Sequence, residues 1–310
     1  MSGYTRIVEP VKFVPSMMTS TTAVDPEPTW AAGTYAKGAV VLRQVLATKG
    51  HMRGLPQLRR FESLADGNTA TPGEDVTKWL DVGPANTVAM FDDKISTRTT
   101  AAGALAVVLA PGRIVTTVAL FGLAGSAVTV TIKDGAAVTY TETRSLVAEN
   151  IANWFEYFTA PFEQAGRAMF DNLPCYASST LEVSIASTGA AGVGHVSFGQ
   201  SFEIGSCPST GAAVGTDDFS AKETDEYGDT EFVERPYAKW QTLTLKVDKG
   251  QVNAVTRVLD RLRATPTVLI ASDDPEYAEV LINFGWVGSH QMVLSQPMFS
   301  LLDVEFKGLS

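Results

Sequence analysis

The sequence predicts a mainly β protein: a small aromatic β module, an antiparallel β-sandwich or jelly roll, and a small α+β carboxy-terminal domain. Three observations carry this expectation. Short runs in which apolar residues alternate with polar ones recur between Gly and Pro turns, as half-buried strands do. Helical periodicity is clear in one stretch near residues 251–263. With 45% apolar and 19% charged residues, the composition is that of a folded soluble protein, and its excess of Ala, Val, Thr and Gly leans towards β-structure.

At 310 residues the chain exceeds one ordinary core and fits two or three domains. Residues 1–28 hold prolines at 10, 15, 26 and 28, which forbid a regular helix and favour extended chain. They read as an arm ordered against something else, or as a loose terminus. Residues 29–84 form a two- or three-stranded module, with the loop "DGNTATPGED" ahead of its second tryptophan.

Residues 85–206 carry the clearest alternation. Leu105, Val107 and Leu109 share one face, as do Val128, Val130 and Ile132 before a turn at Asp134-Gly135, and Leu181, Val183 and Ile185. Ile114, Val118 and Leu120 are expected to do the same. The aromatic run "NWFEYF" at 153–158 reads as a helical turn or loop capping that core. Residues 207–310 begin with a polar edge or interdomain segment. A strand through Leu243, Leu245 and Val247 follows, then a helix with Val252, Val255, Leu259 and Leu262 on one stripe, ended by Pro266. "TVLIAS" and "SLLDVEFKG" supply further strands, the latter with Leu302, Val304 and Phe306 on one side.

A net charge of −10 opposes binding to a phosphate backbone, so no nucleic-acid partner is expected. The start lacks the basic and apolar segments of a secretory signal, and no apolar run reaches the roughly 18 residues of a membrane span. Synthesis in a cytoplasm without membrane insertion is the expectation. Cys175 and Cys207 could bridge, or serve as small buried hydrophobes.

No catalytic constellation is legible. His51, His195 and His290 are scattered, and the glycines around His195 follow a strand without opening a helix, which fails the dinucleotide pattern. Asp92 and Asp93 suit either a calcium ion or a solvated turn; no metal or cofactor is assigned. Trp30, Tyr35, Phe61 and Trp79 are the candidate ligand-binding residues. Rigid aromatic rings suit the faces of sugars, and the same rings could instead be the whole core of a module too small for an aliphatic one.

The pattern "TWAAGTYAKGAVVL…RRFESLADGN…TPGEDVTKWLDVG" resembles the small aromatic modules of chitin-binding domains, departing from them at Ala39, where an aspartate is common. Its continuation "KWLDVGPANTVAMFDDKISTRT" and the later "FSAKETDEYGDTEFVERPYAKWQTLTLKV" resemble tail proteins of tailed bacteriophages and prophages, the carboxy-terminal layout being similar to ring-forming distal and minor tail proteins. The resemblance implies a structural virion component of a tail tip or baseplate, without catalytic residues. It would be made in the host cytoplasm and located in the virion, bracing fibres or hub. Its implied partners are other tail proteins, further copies of itself in a ring or trimer, and host-surface polysaccharide. A stand-alone carbohydrate-binding protein, or the binding part of a glycan hydrolase, is the competing expectation.

Overall fold

The computed structural model describes residues 4–147, 154, 158, 164–206, 212–224, 226–272, 278–294 and 298–309. In chain order its strands are β1 (Tyr4–Pro10), β2 (Met18–Thr21), β3 (Val40–Leu46), β4 (Pro56–Ser63), β5 (Trp79–Pro84), β6 (Thr99–Ala102) and β7 (Leu105–Leu109). They continue with β8 (Thr117–Phe121), β9 (Ala127–Asp134), β10 (Ala137–Ser145), β11 (Arg167–Phe170), β12 (Thr180–Ala186), β13 (Ala190–Val193) and β14 (His195–Ser206). The last are β15 (Ala212–Asp218), β16 (Ala221–Thr224), β17 (Thr230–Val233), β18 (Tyr237–Asp248), β19 (Thr267–Ile270), β20 (Ile282–Val293) and β21 (Phe299–Gly308). Helix α1 spans Val252–Arg261 and α2 spans Ala278–Leu281. The mainly β class is as the alternation predicts.

The chain divides into two compact units, Met1–Pro10 with Asp93–Ser96 and Ser197–Ser310, and Val11–Asp92 with Thr97–Val196. This departs from the expected boundaries at 28, 84 and 206. In the first unit the strand order is β14-β1-β19-β20-β21-β18, all antiparallel. The far side of β18 is shared: Tyr237–Leu243 pairs with β15, and Lys246 pairs with Ser206 of β14, closing the ladder. Closure removes sheet edges that would otherwise expose unpaired backbone groups.

The expected amino-terminal arm is therefore corrected. Residues 4–10 are an interior strand with Ile7 and Val8 buried, pairing Arg6 with both Glu203 and Ile270. The Thr5 hydroxyl donates to the Ala271 carbonyl at 3.1 Å, and that of Thr267 donates to Val8. Proline 10 ends the strand, where a missing N–H costs least. Residues 11–28 are also tied down: β2 pairs with β7, and the Thr87 hydroxyl donates to Asp25 at 2.7 Å.

Inside the ring, Leu243, Leu245 and Val247 meet Leu302, Val304 and Phe306, and Val255, Leu259 and Leu262 of the α1 segment join the same core. Each such side chain contributes roughly 1.5–3 kcal/mol when fully buried. The helix stops at Arg261, before Pro266. The Leu262 amide still donates to Val258 at 3.1 Å, and Ala264 then turns the chain with φ 57°.

In the second unit, β10-β9-β12-β7-β2 form one sheet and β3-β4-β5 another. The alternating positions of β7, β9 and β12 are buried as expected. One alternation fails: Ile114 is exposed, and all five residues of β8 are buried. A strand covered on both faces shows no period of two. Trp154 and Phe158 are helical, their rings stacked at 6.5 Å, but they are 80% and 77% exposed and cap no core. The other residues of 153–158 lie outside the described residues.

Candidate functional site

Three strands give the aromatic module too little area for an aliphatic core, and its rings fill the gap. Trp79 and Phe61 are 2% and 3% exposed and pack on Val41, with Trp30, Tyr35, Val45 and Ala70 around them. The Trp79 Nε1–H donates to the Ala70 carbonyl at 2.8 Å. Tyr35 meets Trp79 edge-on at 5.4 Å, and its hydroxyl donates to the Ala31 carbonyl at 2.7 Å. The Arg43 guanidinium lies 5.4 Å from the Trp30 ring centre and pairs with Glu74 at 3.1 Å. The four predicted sugar-binding residues are brought together, but as a core. Phe61 and Trp79 have no face to offer a ligand, and Trp30 and Tyr35 are half-buried against them.

The remaining candidates do not converge. His195 is buried at the start of β14, while His290 is exposed on β20. Asp92 follows a 3-10 turn, its N–H donating to the Ala89 carbonyl at 3.2 Å. Among the described residues, no group of three His, Cys, Asp or Glu side chains could hold a metal ion. Cys175 is a buried free thiol whose pKa burial pushes up; Cys207 lies outside the described residues.

Aromatic rings gather instead in the first unit, where Trp286 and Phe219 are exposed and Trp240 is half-buried. Gly215, Trp240, Lys307 and Trp286 stand in one cross-strand row over β15, β18, β21 and β20. Beside that row lies a cleft of about 260 Å³ lined by Trp240, Trp286, Phe219, Ala238, Lys307 and Asp217, among others. Gly215 lies beneath the Trp240 indole, and a Cβ there would sit 2.3 Å from Cζ2. On the other side, β20 bulges between Val287 and Ser289, and the Lys307 stem lies 3.4 Å from where a Cβ of Gly288 would be. The Lys307 ammonium pairs with Glu305 at 3.3 Å. A hydrogen bond from the Ser289 hydroxyl at 2.9 Å, then Lys307, holds the Glu305 carboxyl below the usual carboxylate range.

This arrangement sets apolar rings beside two carboxylates, Asp217 and Glu305, and the Lys307 ammonium that pairs with Glu305. Sequence reasoning missed it because the row joins positions 215, 240, 286 and 307. One signal was present: in "YAKWQTLTLKV" Trp240 falls in phase with the outward Thr242 and Thr244, opposite the buried leucines. Scanned against known proteins, the sequence matches no family model and no curated protein.

Proposed function

We propose that the chain is a structural component of a bacteriophage tail tip or baseplate, assembling in several symmetric copies. The observation that carries this reading is the hairpin of β16 and β17, which pair only with each other among the described residues. Two strands alone are marginally stable in water. Phe232 at 69%, Val233 at 46% and, at the hairpin's base, Phe219 and Tyr237, each at 56%, are left exposed. Such a surface gains stability when covered.

Its cover is a second copy of this chain. Acidic residues in the 217–234 segment greatly outnumber Lys222, and Arg257 and Arg261 of α1 and Arg263 just beyond it are exposed in the same unit, Arg261 pairing with Glu9 at 2.9 Å. Opposite charges on different parts of one molecule favour head-to-tail contacts, which close into rings. No described helix is long and apolar enough to cross a membrane. The resemblance to tail proteins supplies the biological setting, including other tail proteins as partners.

Light scattering on the full chain tests this reading. The native protein is expected to be a closed oligomer, and Phe232→Asp with Val233→Asp should shift it towards monomer, as should raised salt. A native protein that stays monomeric at tens of micromolar, or an oligomer indifferent to the double variant, overturns it.

A further inference from the structure

We infer that β10 is a docking edge for β10 of a second copy, the two strands pairing antiparallel about a two-fold axis at Thr143. This contact is separate from the hairpin of β16 and β17, and rests on the proposed assembly only for its persistence. β10 ends the sheet β10-β9-β12-β7-β2 and, among the described residues, pairs with no strand on its other side. Its sequence, AVTYTETRS, holds no Pro or Lys to block that side, and its Val and Thr residues favour extended chain.

Register shows which backbone groups are open. The Leu146 N–H donates to the Ser126 carbonyl at 2.9 Å, in line with the pairing of Ser145 with Ala127. Hydrogen-bonded pairs recur at every second residue of an antiparallel ladder, so Arg144, Glu142 and Tyr140 also turn their backbone groups towards β9. Those of Thr141, Thr143 and Ser145 point to the open side. The stretch is bounded by a bulge at Thr139 and by Val147, which bridges to Gln164. Residue 143 is its middle. Bulges and inward charges normally guard an edge; here the bulge leaves 140–146 regular, and Glu142 and Arg144 neutralise each other at 2.8 Å.

Pairing centred on Thr143 sets it opposite the partner's Thr143, and Thr141 opposite the partner's Ser145. With the symmetric copy of the second pair, about six backbone hydrogen bonds form. Glu142 falls opposite the partner's Arg144 at the closer, non-hydrogen-bonded positions, where opposite charges attract. Centring on Glu142 would oppose like charges, and centring on Thr141 would draw the bulge into the ladder. On the outer face the hydroxyl pair of Thr129 and Thr143, 2.8 Å apart, continues into the partner's Thr143. The strand thus supplies its own complement, which selects a second copy as the occupant. So short a contact is weak between free chains, and repetition around a closed assembly makes it persist.

Disulfide trapping with oxidised glutathione tests the register, on full chains carrying Cys207→Ser so that buried Cys175 is the one native thiol. Thr143→Cys is expected to give a cross-linked dimer at tens of micromolar. Thr141→Cys should give about tenfold less, because its two copies would stand about 13 Å apart along the strands, beyond disulfide reach. Adding Arg144→Glu to Thr143→Cys should slow trapping, and adding Glu142→Arg to that chain should restore it. Thermal melting like that of the native chain shows that each variant folds. Trapping should also persist, more slowly, with Phe232→Asp and Val233→Asp present. No link through Thr143→Cys, an equal or stronger link through Thr141→Cys, or a rate indifferent to Arg144→Glu overturns the inference. Its failure leaves the hairpin-dependent assembly standing, and a native chain that stays monomeric in light scattering leaves the trapping result to be read on its own.

Discussion

Trp79 shows how a residue's type is legible when its role is not. Its sequence neighbourhood marks an aromatic module, yet the ring could face a ligand or a core, and burial on Val41 and Phe61 decides for the core. Trp79→Ala should destabilise the second unit by about 3–5 kcal/mol, read from urea unfolding, and leave the Trp286 cleft unaffected. Tyr140 and Glu142 give a pH signature. The Tyr140 hydroxyl donates to Glu142, and that bond, then Arg144, lowers the Glu142 pKa. A depressed carboxylate contributes stability above its ordinary value of 4.5, lost as pH falls through the lowered one. Burial, then the Glu142 bond, pushes the Tyr140 pKa up to about 12. That contribution is complete below 10 and lost as pH rises towards 12. Tyr140→Phe should flatten both ends of a urea-midpoint profile against pH; an unchanged acid limb counts against the coupling.

At the scale of elements, α1 was readable because its apolar stripe repeats at helical spacing, and residues three and four apart in sequence are neighbours on the helix face. Leu259→Ala should cost about 2–5 kcal/mol, measured by denaturation of the full chain, because Leu259 is 2% exposed in the ring core. Strands β7, β9 and β12 were legible for the same local reason, each having one wet face. The period of two that marked them is erased in β8, where both faces are dry. The hairpin of β16 and β17 read only as polar chain, since its apolar residues are spaced by acids and turn residues and make no run. Deleting 219–235 should leave the thermal melting of the remainder within a few degrees while abolishing oligomers; melting that collapses would show that the hairpin is structural.

For the molecule as a whole, the amino terminus is the sharpest test. Four prolines among residues 1–28 argue against a helix and are equally compatible with a loose arm. Pairing with β14 and β19 makes residues 4–10 an interior strand instead. Removing residues 1–10 should therefore open the first unit to limited proteolysis within 197–310 and spare the second unit, which a dispensable arm would not do. The Cys175 thiol, buried and shifted up, should resist an exposed-thiol reagent until the chain is unfolded.

The mainly β class, the inner faces of the alternating strands and the amphipathic helix are local properties, because each follows from side-chain direction over a few neighbouring residues. Tertiary structure alone decided that residue 6 pairs with residue 270, that the module's rings turn inward, and that Trp240, Lys307 and Trp286 stand in one row. Those outcomes depend on which distant strands share a ladder and which faces lose water, and chain separation carries no record of either.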